Sequence, residues 1–118
     1  MECPYCGKEA KFLSSKEFYG KDYYNTNVYV CYDCDAHVGT HRGSKTPLGT
    51  LANHKLRSLR RMCHQHFDLL WKKKGYSRTG AYRWLQREME LPPEDAHIGR
   101  FNVEQCMTLL RKFGVRIR

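Results

Sequence analysis

Two Cys-x-x-Cys pairs, Cys3-Pro4-Tyr5-Cys6 and Cys31-Tyr32-Asp33-Cys34, constrain this chain more than anything else in it. Each pair sets two sulfurs on one tight turn, close enough to share a metal ion, and two such turns complete a tetrahedron. Four thiolates at about 2.3 Å suit Zn²⁺, and a closed four-cysteine site is structural, not catalytic. Cys3, Cys6, Cys31 and Cys34 are therefore expected to hold one structural Zn²⁺. The competing assignments are two disulfides or four unrelated thiols. Disulfides need an oxidising compartment, and nothing in the sequence points to one. Met1-Glu2-Cys3 leads straight into the motif, so no secretory leader is expected. No apolar run approaches the roughly 20 residues that span a membrane. A cytoplasmic protein without a membrane partner fits these features.

The fold expected is α+β: an N-terminal Cys₄ zinc-ribbon β-hairpin followed by a small three-helix bundle. Ala10 to Leu13 reads as a short strand and Asp22 to Val30 as a second, rich in Tyr, Thr and Val. Gly20 and Lys21 would turn the chain between them. In the second strand Tyr24, Thr26, Val28 and Val30 would share a face. A module this small cannot bury enough apolar surface alone, so the metal replaces most of a core. Gly7, just after the first pair, suits a left-handed turn. His37, three residues beyond Cys34, is an alternative ligand, but four cysteines already satisfy the metal.

Residues 1–40 are read as the ribbon, 41–50 as a polar Gly/Pro-containing connector, and 51–118 as a basic helical region packed on the ribbon. One helix is expected from Leu51 to Lys73, with Leu56, Leu59, Cys63, Phe67 and Leu70 as its buried stripe. A second starts near Ser77, a candidate N-cap, and ends near Met89. A third starts at Asn102, where Gln105 completes a capping box, and stops at Gly114.

Charge divides along the same lines. Residues 1–40 carry four Lys/Arg against six Asp/Glu, net −2; residues 41–118 carry 17 against six, net +11. A polyanion is the natural partner of so basic a segment, and nucleic acid is the commonest one. Arg42 and Lys45, beside the start of the first helix, are candidate phosphate contacts. Arg57, Arg60, Arg61, Lys72 and Lys73 would extend the track. Six tyrosines crowd the ribbon, and aromatics beside cations can stack on unpaired bases. Cys63 and Cys106 lie on apolar helix faces and read as small buried hydrophobes. His64 and Asp68 are four apart on one helix and can meet; a hydrogen bond bracing the helix is the plainer role, a metal-dependent nuclease site the sharper one.

Several phrases strengthen one another: C-P-Y-C-G at 3–7, C-x-x-C-x-A-x-V-G-x-H from Cys31 to His41, P-L-G-T-L-A-N at 47–53 and L-R-x-x-R-x-x-x-H at 56–64. They continue with F-D-x-L-W at 67–71, A-Y-x-W-L at 81–85, H-I-G-x-F ending at Phe101 and V-E-Q-C at 103–106. In these the chain resembles the small zinc-finger-containing proteins of phages and prophages. The resemblance covers nearly the whole chain. It implies the four-cysteine zinc site and a setting in a bacterial host cytoplasm, and it supplies no catalytic residues. Within the same phrases His41, Asn53, His64, Asp68 and His97 are hard to explain by packing, and are candidates for a polar pocket. The leading expectation is a zinc-binding, nucleic-acid-binding accessory protein. Its rivals are a protein–protein adaptor or inhibitor of a host enzyme, and a nuclease using the His/Asp residues.

Overall fold

β1 (Lys11–Ser14), β2 (Asn27–Cys31) and β3 (Ala36–Gly39) form an antiparallel sheet in the order β1-β2-β3. Phe12 stands opposite Tyr29, and Tyr29 opposite Val38. The computed structural model of this 118-residue chain describes residues 1–116. Its backbone divides into two compact units, Met1–Lys55 and Leu56–Arg118. The first holds the sheet and both cysteine pairs; the second is helical. The α+β class is as expected, but the hairpin is extended by a third strand.

Two features of the first unit depart from the sequence reading. The second strand begins only at Asn27, because Asp22–Thr26 forms a turn. Asp22 Oδ1 accepts from the Asn25 N–H at 3.1 Å, and the Tyr23 carbonyl accepts from the Thr26 N–H at 3.1 Å. Tyr24 and Asn25 are both left-handed there, with φ of 54° and 57°. Strand propensity at Tyr23, Tyr24 and Thr26 thus yields to a locally hydrogen-bonded turn. The second departure is a short helix, α1 (Ser15–Tyr19), where a plain turn was expected. Ser14 caps it in a reciprocal capping box with Glu17, and Gly20, at φ 80°, ends it.

Alternation along the strands decides the burial. Val28 and Val30 are buried on one face of β2. On the other, Cys31 and Ala36 join Cys3, Ala10 and Leu51 in a small core, with Tyr29 and Val38 packed against it. Residues 41–50 bend back along β3. Thr40 pairs with Pro47, the Leu48 N–H donates to the Gly39 carbonyl at 2.9 Å, and Ala52 pairs with His37. That last pairing holds Leu51 and Ala52 extended. The following helix, α2 (His54–Lys72), therefore starts three residues after the expected Leu51.

In the second unit α2 is followed by α3 (Arg78–Met89), a 3₁₀ turn (Ile98–Arg100) and α4 (Val103–Lys112). Ser77 caps α3, and Asn102 with Gln105 makes the expected capping box on α4. Leu56, Cys63, Phe67 and Leu70 of α2 are buried, as are Ala81 and Leu85 of α3 and Cys106, Leu109 and Leu110 of α4. The Phe67 ring meets Tyr82 edge-on at 5.2 Å. Phe113, just beyond α4, stacks between His66 at 5.7 Å and Trp84 at 5.1 Å. Phe101, fully buried, plugs the segment between the 3₁₀ turn and α4.

Candidate metal centre and basic surface

The two knuckles are built alike. In the first, the Gly7 N–H donates to the Cys3 carbonyl at 2.9 Å, and the Cys3 N–H to the Lys8 carbonyl at 2.8 Å. In the second, the Asp35 N–H reaches the Tyr32 carbonyl at 3.3 Å. The residue after each pair is left-handed: Gly7 at φ 78° and Asp35 at φ 50°. Asp is one of the few side chains that tolerate that conformation. The knuckles are tied from outside by Lys8 Nζ to Asp33 Oδ2 at 3.0 Å, and by the Asn53 N–H donating to the Tyr5 hydroxyl at 3.1 Å.

These turns bring the sulfurs of Cys3, Cys6, Cys31 and Cys34 within 4.8 Å of one another. The Cys6 and Cys31 sulfurs are 3.7 Å apart. A tetrahedron with zinc–sulfur bonds of about 2.3 Å has edges of about 3.8 Å. All six cysteines of the chain are free thiols. Cys3 and Cys31 are buried, Cys34 half-buried and Cys6 exposed, so the site is closed from within and open on one side only. The donor set and its spacing fit one structural zinc.

The thiols titrate as one cluster. Burial opposes ionisation of Cys3, but the amides of Tyr5 and Cys6 and the thiols of Cys31 and Cys6 converge on it and bring it down to about 7. Burial and the neighbouring sulfurs of Cys6 and Cys31 push Cys34 up to about 12. A single thiolate is thus favoured, while four together require a cation. Metal binding must displace the remaining protons.

His37 is not part of this cluster. Its backbone pairs with Ala52 and its ring lies 5.1 Å from that of Phe18. Among the described residues the cysteine quartet is the one group of three or more Cys, His, Asp or Glu side chains at ligand distance. The candidate pocket residues are divided between the two units. His41 is exposed, and its backbone closes a loop with Thr46; Asn53 follows the β3-paired segment in the first unit. In the second unit His64 and Asp68 are close enough to affect each other electrostatically. Partial desolvation holds His64 below the ordinary imidazole value, against the pull of Asp68 and with the help of Arg60. The His97 ring lies 5.8 Å from that of Tyr82.

The basic residues separate into two kinds. Arg61 and Lys72 lie opposite the buried stripe of α2, and Arg57 on its flank, by helical periodicity. Arg61, Lys72 and Lys73 are exposed and Arg57 half-buried. Arg60, grouped with them in the sequence, is buried, and this corrects its assignment to the surface track. Its Nε donates to the Phe101 carbonyl at 3.0 Å, tying α2 to the start of α4. In the first unit Arg42 sits 5.0 Å above the Tyr24 ring and Lys45 5.8 Å from the Phe12 ring. The sequence had no signal separating Arg60 from Arg61 except position: Arg60 lies between Leu56 and Cys63 on the apolar side.

A family described as a zinc-finger-containing domain matches residues 1–114 of the chain. No curated protein and no solved structure matches it. No helix among the described residues is long and apolar enough to cross a membrane.

Proposed function

The chain belongs to this zinc-finger-containing domain family, and from that premise we propose that it is an accessory protein that binds nucleic acid through its basic helical surface. The zinc would be the staple of the first unit, with no part in chemistry. The observation that carries the reading is the outer face of α2. Arg61 and Lys72 lie on it and Arg57 on its flank, spread over about 22 Å at 1.5 Å per residue, and Lys73 follows at its end. Residues 56–118 hold 14 Lys/Arg against six Asp/Glu, net +8. Arg42 and Lys45 would add contacts from the first unit. Such a surface neutralises phosphates without reading bases, so affinity should fall steeply with salt. We set this activity in the bacterial cytoplasm, following the resemblance to phage and prophage proteins.

The test is a salt titration of binding by fluorescence anisotropy. Joint replacement Arg57→Glu and Arg61→Glu should weaken binding and flatten the plot of log affinity against log salt by about 2, since each phosphate contact contributes about 0.9. Unchanged affinity and slope would remove α2 from the interface. A protein adaptor is the second reading. It draws on Met62 and Leu69, both large, apolar and exposed on α2. A partner retained after nuclease digestion, and lost on Met62→Lys with Leu69→Lys, would favour it.

A further inference from the structure

The first unit contains a cleft that neither the zinc site nor the basic helix uses. It has a volume of about 320 Å³, at the lower end of the roughly 300–1,000 Å³ of small-ligand sites. Val28, buried on the α1 side of β2, lies at its base. Tyr19 and Tyr23 line it with rings edge-to-face, centroids 5.2 Å apart, each ring about half exposed. No acidic residue lines it.

Its polar wall is fixed in place. Thr40 Oγ1 accepts from the Asn27 N–H at 2.9 Å, and the Thr26 hydroxyl meets that of Ser15 and donates to the Tyr23 carbonyl at 2.6 Å. Asn27 Nδ2 donates to the Ser44 carbonyl at 3.0 Å.

Arg42 stands beside this wall, over the Tyr24 ring, while Lys45 lies on the other face of the sheet near Phe12. The loop that carries Arg42 and Lys45 is tethered to it by the Asn27–Ser44 bond and by the Gly43 N–H to the Asn25 carbonyl at 2.8 Å. The turn beside the cleft is also strained. Tyr24 and Asn25 are consecutive left-handed non-glycine residues, and Tyr24 is 74% exposed with Arg42 against its ring. A bulky residue in that conformation is an outlier, and such outliers cluster at ligand sites.

We infer that the Tyr19–Tyr23 cleft receives one unpaired base of a single-stranded nucleic acid, a flanking phosphate meeting Arg42. This rests on the reading that the chain binds nucleic acid, and adds a base-dependent contact to a phosphate-dependent one. The rings supply π-faces and Val28 an apolar floor. A base within a strand fits better than a free nucleotide, because Arg42 lies beside the cleft, where a neighbouring phosphate would run.

The experiment compares a short oligothymidylate with an abasic strand of equal length and charge, both titrated against the zinc-loaded chain at one salt concentration. The base-bearing strand should bind about tenfold tighter, the scale of one stacked base. Tyr19→Leu with Tyr23→Leu should erase that preference and leave the abasic affinity unchanged. Tyr19→Phe with Tyr23→Phe should retain it, since stacking needs the ring and not the hydroxyl. Zinc content checks that each variant is folded. If the Leu variant loses zinc, photocrosslinking of a 5-iodouracil strand to the native chain replaces it, with Tyr19 or Tyr23 the expected attachment point. Equal binding of the two strands, a preference that survives the Leu variant, or crosslinks only elsewhere would overturn the inference. So would displacement of the strand by equimolar free mononucleotide, which would make the nucleotide the ligand. Failure of the α2 surface is read separately: charge reversal at Arg57 and Arg61 should weaken both strands equally, whatever the base preference.

Discussion

Replacing Arg60 separates a structural arginine from its solvent-exposed neighbour Arg61. Arg60→Met keeps most of the aliphatic stem, which packs in place, and removes the guanidinium. The Nε bond to the Phe101 carbonyl, 3.0 Å long and buried, is then lost. A hydrogen bond to a charged group contributes about 1.5–3 kcal/mol. For a unit of about 60 residues, each kcal/mol corresponds to about 4–8 °C in Tm. The expected loss is therefore roughly 6–24 °C, read by thermal melting with zinc held constant. The same substitution removes a charge that helps hold His64 below the ordinary imidazole value, so the His64 pKa should rise. The salt slope of nucleic-acid binding should not move, whereas Arg61→Met should lower it by about 0.9 with little change in Tm. An Arg60→Met protein with native Tm and a flattened salt slope would refute the reasoning, since Arg60 would then be an external phosphate contact.

Removing zinc should be the most damaging single change to the first unit. Structural zinc sites contribute about 10–16 kcal/mol of apparent binding energy, and the core beside this one is small. Chelation, or Cys31→Ser, should abolish a stoichiometry of one zinc per chain and expose the amides of β2 and β3 to hydrogen exchange; persistent protection would contradict a metal staple. His64 supplies a pH dependence. With its folded pKa below the unfolded value, the unfolded chain takes up the proton first. The stability it leaves intact is complete above about pH 6.5 and declines as pH falls through that value toward the folded pKa. Histidine NMR titration should show a low His64 pKa, lower still in Asp68→Asn because Asp68 opposes the shift; an ordinary or raised value would reverse the sign. Tyr24→Gly should relieve about 1–2 kcal/mol of left-handed strain and forfeit about 0.5–1 kcal/mol of contact with Arg42. Glycine also adds about 0.5–1 kcal/mol of unfolded-state entropy, so urea unfolding should show a change within about 1 kcal/mol, and a larger loss would mean that the turn is not strained.

The parts of this fold that were legible in the sequence are those where side-chain identity alone dictates geometry. Cysteine spacing announces the metal cluster because few other uses bring two such pairs together. Gly7 marks its left-handed turn, and Asn102 with Gln105 marks the start of α4, because each motif satisfies backbone groups locally. The same kind of signal was present for α1. Ser14, Glu17 and Gly20 spell a capping box and a left-handed stop, but a five-residue helix offers no hydrophobic period to go with them. The turn at Asp22–Thr26 was hidden for the opposite reason. Its residues have strong strand preferences, and what overrides them is one aspartate accepting from a backbone N–H three residues on. Arg60 was misread because composition and spacing count charges without saying which are solvated. Its place on the apolar side of α2, between Leu56 and Cys63, was the cue.

The candidate sites follow the same division. The metal centre is written in four residues of one kind and could be read from their spacing. The cleft depends on α1, β2, β3 and the 41–48 loop meeting around Val28, and no short segment encodes it. Its residues, Tyr19, Tyr23, Thr26, Asn27 and Thr40, are individually ordinary for a small β-rich module. What sets them apart is arrangement: two half-exposed rings over a buried valine, beside a tethered loop that carries Arg42. The zinc bears on this arrangement through β2 and β3. Cys31 ends the strand that begins with Asn27 and Val28, and Ala36, two residues beyond Cys34, begins the strand that ends beside Thr40. The metal thereby fixes one end of the two strands whose other end lines the cleft. A staple so placed sets the register of the strands that line the cleft, and on the inference of a base-binding cleft that would give a structural zinc a functional consequence.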